Sequence, residues 1–203
     1  MFVNQEYFVG YRDVNLLEEL TNTSLLSFLE NNAGKHSAKI GKNLISDDCT
    51  WMLLSWKVKV INRPKFNDII RVKTWSRKIE KFYAYRDFEI YDSNNNLIAV
   101  ASSKWIYIDV KKGKIIKVPE DLALSYDSEN IYSFKEEESE FLKLKEPESF
   151  ARFTEFPITR NMIDTNHHLH NIYYLDIVKE VLPEELYQAG EFNSFEIMYK
   201  KEI

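Results

Sequence analysis

The 203 residues carry 27 Lys and Arg against 32 Asp and Glu, a formal charge of -5 that gives no general attraction to nucleic-acid phosphates or an anionic membrane surface. A hydrophobic share of 44%, an aromatic share of 14% and only 5 glycines describe a packed globular chain, and this length accommodates one large domain or two small fused ones. The single cysteine, Cys49, excludes an internal disulfide and a Cys-rich zinc site, so a reducing compartment is expected.

In chain order, residues 2–12 read as a strand. Asn15 then opens a helical stretch, with Leu16, Leu17, Leu20, Leu25, Leu26, Phe28 and Leu29 at helical spacing, an interruption at Thr21–Thr23 and Gly34 as the C-terminal stop. No run reaches the length of a membrane span, and the amino terminus lacks the apolar core of a signal peptide, so the cytoplasm is expected. From Trp51 to Val118 the period changes to two. Trp56, Val58 and Val60 share one face against Lys57 and Lys59, and Ile70 and Val72 oppose Arg71 and Lys73. Turn signals at Asp92–Asn96 and Lys111–Gly113 divide the rest of this stretch, giving about five strands in an antiparallel sheet with one face free to cover a helix. Residues 119–148 lose the alternation and gather acidic residues, including Glu136–Glu138, the pattern of a solvated linker. The opening order then recurs weakly: ARFTEFPIT as a strand, residues 164–186 as a helix closed or kinked by Pro183, and FEIMYKKEI as a new strand.

Three of the four histidines fall within His167–His170, beside Asp164, Asn166 and Asn171 at the expected helix start. Asp164 or Asn166 there can simply cap the helix. The alternative is a site for developing negative charge, with Asp164 as base or nucleophile and Asn166 and His168 orienting a water or polarising a carbonyl. His167 and His170 would share a helical face, but no second ligand cluster accompanies them, and no metal is expected. Cys49, beside two acidic residues in DDCTW, reads as an inert thiol.

Two blocks resemble the acyl-acyl carrier protein thioesterases, a plant and bacterial family of two fused hot-dog units. The first comprises Trp51, Asn62–Trp75, Tyr85–Ser93 and Ala101–Asp109; the second is Ile158–Glu185 followed by FEIMYKKEI. The resemblance implies an α+β tandem hot-dog: an acyl-pocket unit over 1–118, a linker over 119–149, and a catalytic unit over 150–203. Relatives continue past this point, so the second unit is expected to be partial. It further implies Asp164, Asn166, His168 and Glu202 as the catalytic set, with no cofactor. Plant members place a cysteine after that glutamate, where this chain has Ile203, and an asparagine where it has His170.

The implied activity is hydrolysis of acyl-carrier-protein thioesters to free fatty acid and carrier thiol. The expected partner is acyl carrier protein bearing an acyl chain, with homodimerisation left open. Two cationic groups are candidates to meet that acidic carrier: Lys57, Lys59, Arg71 and Lys73, and the run Lys111, Lys112, Lys114 and Lys117. The alternatives are a thioesterase for coenzyme A esters and an acyl-binding protein without hydrolysis.

Overall fold

The structure, a computed structural model, describes residues 1–41, 48–135, 138–150 and 153–200. Its frame is one helix, α1 (Asn22–Lys39), about 27 Å long, laid across an antiparallel sheet. The strands are β1 (Phe2–Phe8), β2 (Cys49–Val60), β3 (Ile69–Glu80), β4 (Tyr83–Tyr91), β5 (Leu97–Asp109), the short β6 (Lys114–Ile115) and β7 (Ser194–Met198). They are ordered β1-β3-β4-β5-β2-β7, with β6 paired to β5. The expected alternation holds: Trp56, Val58, Val60, Ile70 and Val72 are all buried. The Asp92 carboxylate closes the β4–β5 turn by accepting from the backbone of Asn94 and Asn96. Bulges between Leu53 and Ser55 and between Ser76 and Lys78 shift the register, the device by which a sheet acquires the extra twist needed to wrap a helix.

The first helix starts later than the spacing predicts. Leu16 and Leu17 are exposed in a turn, and Thr21 caps α1 by accepting from Ser24 N at 3.1 Å. Gly34 does not stop it. A glycine inside a helix costs about 1 kcal/mol, and burial of Leu25, Leu26, Leu29 and Ala33 in one cluster with Trp56, Val58, Phe88 and Ile90 outweighs that.

Two polar devices lie under the helix. Asn32 donates to the carbonyls of Val3 and Val72, tying α1 to β1 and β3. His36 meets the buried guanidinium of Arg86, with Nδ1 at 2.9 Å from Nη1. A guanidinium only donates, so the ring must accept at Nδ1 and is neutral. Burial first, and the Arg86 charge second, depress its pKa to about 3. A histidine held neutral contributes stability above pH 6.5 that is lost as the unfolded chain takes up a proton between 6.5 and 3. The stability advantage of wild type over His36→Gln should therefore shrink as pH falls through that window, measured as urea midpoints; a constant difference would contradict a neutral buried ring.

The segment expected as a solvated linker is anchored to the sheet in its first part, by buried Leu122, Tyr126, Phe134 and Ser139, while residues 142–150 are exposed. Helix α2 (Glu120–Ser125) and Tyr126 cover Tyr107 and Val118, and the Tyr126 hydroxyl accepts from Trp51 Nε1 at 3.0 Å. The chain then crosses the outer face of the sheet as a strap. Glu129 N donates to Ser76 O, Trp75 Nε1 to Ile131 O, and Ser133 to Asp87 and Ala101 O. Further on, Phe134 lies under Lys57, Lys57 donates to Glu140 O, and Glu138 pairs with Lys59. Buried apolar side chains spaced among the acidic residues, Leu122, Tyr126 and Phe134, are what the charge run concealed.

Beyond the strap, the described part of ARFTEFPIT, residues 153–159, forms no strand. The early strand β1 is held by its ladder with β3 (Phe2 opposite Trp75 through Phe8 opposite Ile69), and residues 153–159 have no such neighbour among the described residues. The closing strand does form: β7 extends the sheet at the free edge of β2, Ser194 opposite Lys59 and Met198 opposite Ser55.

Candidate functional site

The histidine-rich stretch is not the start of a helix. Helix α3 begins at Tyr173 and runs to Val181; Pro183 then opens the short α4 (Glu184–Gln188). Residues 163–169 close a tight turn, with Ile163 bridged to Leu169, Asp164 N donating to His168 O at 2.9 Å, and His167 at φ 66°. The physical reason is Asp164. Its Oδ1 accepts from Asn166 N at 2.8 Å and from His168 N at 3.1 Å, and a short carboxylate that binds the amides ahead of it competes with helical pairing. The expected capping by Asp164 thus occurs on a turn. His167 and His170 share no helical face, and no group of three or more metal-ligating side chains gathers among the described residues.

The same turn occurs once before. Val14 bridges Leu20, Asn15 N donates to Glu19 O, Glu18 stands at φ 60°, and Asn15 Oδ1 accepts from Leu17 N at 2.9 Å and Glu19 N at 3.1 Å. Each turn follows a short 3-10 segment, Tyr11–Asp13 or Arg160–Met162, and each is closed behind by an amide, Thr21 N to Asp13 O or His170 N to Met162 O. Of the weak repeat read in the sequence, the turn recurs closely in backbone geometry, while the strand expected before the second copy does not form over residues 153–159. The first copy presents Asn15, Leu17 and Glu19 where the second presents Asp164, Asn166 and His168.

The second turn is pressed against α1. Ile172 and Leu175 pack on the main core, Thr23 Oγ1 donates to Asp176 Oδ1 at 2.5 Å, and Tyr199 OH donates to Asn171 O at 3.1 Å. At the contact sits Glu30, on the third turn of α1, its Oε2 3.5 Å from His170 Nε2. Burial pushes the Glu30 carboxyl up to about 7, with the Asp164 charge adding to the effect and Asn171 opposing it. Burial also lowers His170 and raises Tyr199, the latter aided by the Glu30 charge. Sequence reading passed over Glu30; the available signal was an acidic residue between Leu26, Leu29 and Ala33 on the buried stripe of α1.

Asp164, Asn166 and His168 are thus brought into one turn, on the carboxylate and the amides that it binds. Asn166 is exposed, and its Nδ2 lies 3.5 Å from Asp164 Oδ2. Glu202 lies outside the described residues. Cys49 opens β2 and packs on the Tyr107–Tyr126 cluster. Of the cationic candidates, Lys57 pairs with Glu196, Lys59 with Glu138 and Lys73 with Glu89, while Arg71 lies over Tyr91. This outer face is internally paired and strapped. Lys111 and Lys112 pair with Asp48 and Asp109 on the β5–β6 hairpin, near the Cys49 end of β2 and away from its ladder with β7.

Comparison with known proteins gives these relationships. The model of the acyl-ACP thioesterase N-terminal domain matches residues 2–126, and that of the acyl-ACP thioesterase C-terminal domain matches residues 145–203. The oleoyl-acyl carrier protein thioesterase of Coriandrum sativum is 23% identical over 98% of this chain and 58% of its own length. An acyl-[acyl-carrier-protein] hydrolase of Cuphea viscosissima is 26% identical over 76% of this chain and 39% of its own. The chain thus spans 58% and 39% of the length of these two curated relatives. Among solved structures, the 12:0-ACP thioesterase of Umbellularia californica superposes over 100% of this chain and 83% of its own with a TM-score of 0.86 at 17% identity. An acyl-ACP thioesterase of Bacteroides thetaiotaomicron gives 0.77 at 22% identity, over 100% of this chain and 82% of its own. The sheet wrapped on α1 is the hot-dog arrangement of these structures.

Proposed function

Because the chain belongs to the acyl-ACP thioesterase family, we propose that it hydrolyses acyl thioesters of acyl carrier protein, releasing the free fatty acid and the carrier thiol. The observation that carries this reading is the Asp164 turn. One carboxylate oxygen is fixed by two backbone amides, which sets the orientation of the other without relying on a mobile side chain. That oxygen acts on the thioester in one of two ways. As a base it takes a proton from water, whose oxygen adds to the carbonyl; the tetrahedral intermediate then expels the thiolate, which recovers the proton. As a nucleophile it displaces the thiolate to give an acyl anhydride that water opens. In both, Asn166 and His168 position the water or the carbonyl, and Glu202 assists the water.

The two halves of the reading fit a division into an N-terminal hot-dog unit over 1–118, a connection over 119–149 and a second, catalytic unit over 150–203, supported by the repeated turn. The acyl chain lies between α1 and the inner face of the sheet, where each buried methylene contributes about 0.8 kcal/mol. The free thiol of Cys49 suits a reducing compartment, and we place the chain in the cytoplasm. No helix among the described residues is long and apolar enough to cross a membrane.

The test is a panel of acyl carrier protein thioesters of varied chain length beside matched coenzyme A esters. Release of fatty acid with a higher kcat/KM on the carrier-linked series is the expected result. Preference for the coenzyme A series would reassign the carrier, and acyl binding without release would replace the enzyme by a binding protein.

A further inference from the structure

The buried contact between α1 and the Asp164 turn contains more polar chemistry than packing requires. Glu30 sits there with a side chain only 15% exposed, and its Oε1 is buried without a hydrogen-bond partner. His170 Nδ1 and Asn171 Oδ1 are buried and equally unpartnered. A buried polar atom left without a partner costs on the order of 1–3 kcal/mol, and three in one place are not retained by packing alone. Two of the three belong to residues that directly follow the turn: His170, whose amide closes it on Met162 O, and Asn171, whose carbonyl is held by Tyr199. The charged or titratable groups facing Glu30 are His170 and Asp164 from the turn region and Tyr199 from the segment after β7.

We propose that Glu30 is a positioning residue of the site: carried by the helix of the N-terminal part, it acts through His170 and Asn171 to hold the 163–169 turn, and with it Asp164 and His168, in working geometry. The geometry supports a role beyond filling space, because a carboxyl facing an imidazole can exchange a proton with it, whereas an apolar side chain of the same size would fill the space without burying an unpartnered oxygen of its own. Glu30 occurs on the helix and not on the loop, so the two parts of the chain meet in one site.

This proposal rests on the thioesterase reading, and its test separates the two. Glu30→Gln preserves size and burial while removing the ionisable proton. Expected are a kcat on acyl carrier protein thioesters lower by roughly ten- to a hundred-fold, a KM within about two-fold, loss of the ionisation near neutral pH from the kcat profile, and partial rescue by Glu30→Asp. A wild-type kcat and pH profile in Glu30→Gln would overturn the assignment. The second measurement needs no turnover. The His170 imidazole signal, followed by NMR, should shift in two steps with pH in wild type, the upper one from Glu30, and in one step in Glu30→Gln. Identical single-step curves in both proteins would overturn the coupling even if no thioester is hydrolysed, while two steps without hydrolysis would leave Glu30 coupled to the turn and reject only the thioesterase reading.

Discussion

Asp164→Asn should abolish thioester hydrolysis, by at least ~10³-fold in kcat, while leaving the unfolding midpoint unchanged. The protein contains its own control for the second half of that expectation. At the earlier turn the residue in this position is Asn15, and its amide oxygen accepts the same two backbone donors at 2.9 and 3.1 Å, against 2.8 and 3.1 Å for Asp164. An amide therefore closes this turn as well as a carboxylate does, and what the substitution removes is the charge and the basic or nucleophilic oxygen. Asp164→Ala differs: it also releases the amides of Asn166 and His168, and should cost about 1–2 kcal/mol in stability on top of the lost activity. Measuring kcat and urea midpoints for both variants separates chemistry from scaffolding. Substantial hydrolysis by a folded Asp164→Asn protein would remove Asp164 from the mechanism.

The largest effect on stability is expected at Asp87. Its carboxylate, 2% exposed, accepts from Ser102 Oγ at 2.7 Å and Ser133 N at 2.8 Å and lies 3.3 Å from Nε of the buried Arg77. Burial raises its pKa, and Arg77, Ser133 and Ser102 pull it back down. Removing the carboxylate leaves a guanidinium buried between Tyr85 and Tyr132 without its counter-charge, and loosens Ser133 from the sheet. Asp87→Ala should lose about 3–5 kcal/mol, the usual penalty for breaking a buried pair from one side, and should expose residues 127–135 to limited proteolysis before global unfolding. A loss below about 1 kcal/mol, or a strap as resistant as in wild type, would show that the pair contributes little to fixing the connection.

The strands were legible because their cause is local. Alternation at Trp56, Val58, Val60, Ile70 and Val72 follows directly from one buried face, and Asp92 with its asparagines spells a turn. Three things were hidden. The histidine stretch has helical composition, but the Asp164 side chain diverts the backbone before the helix can start, a decision made by two hydrogen bonds. The strap reads as solvent because its apolar anchors are spaced by the strands they cross and match neither local period. Glu30 could be seen only as an odd charge on a buried stripe, since its meaning depends on His170, which lies far along the chain and reaches it through the packing of α3 on α1. Asp164, Asn166 and His168 stand out as candidates because they cluster in sequence; Glu30 does not, because the groups around it assemble only in three dimensions.

The two turns also bear on how such a protein could have arisen. If the frame at Val14–Leu20 and the frame at Ile163–Leu169 descend from one duplicated segment, the backbone was inherited and the chemistry was written onto it afterwards, with Asp, Asn and His in one copy and Asn, Leu and Glu in the other. On the function proposed above, three side chains divide a structural corner from a reactive one. A descendant could therefore lose hydrolysis, or an engineer could seek it in the other copy, by point changes alone, with the ancestral corner serving as a spare mould.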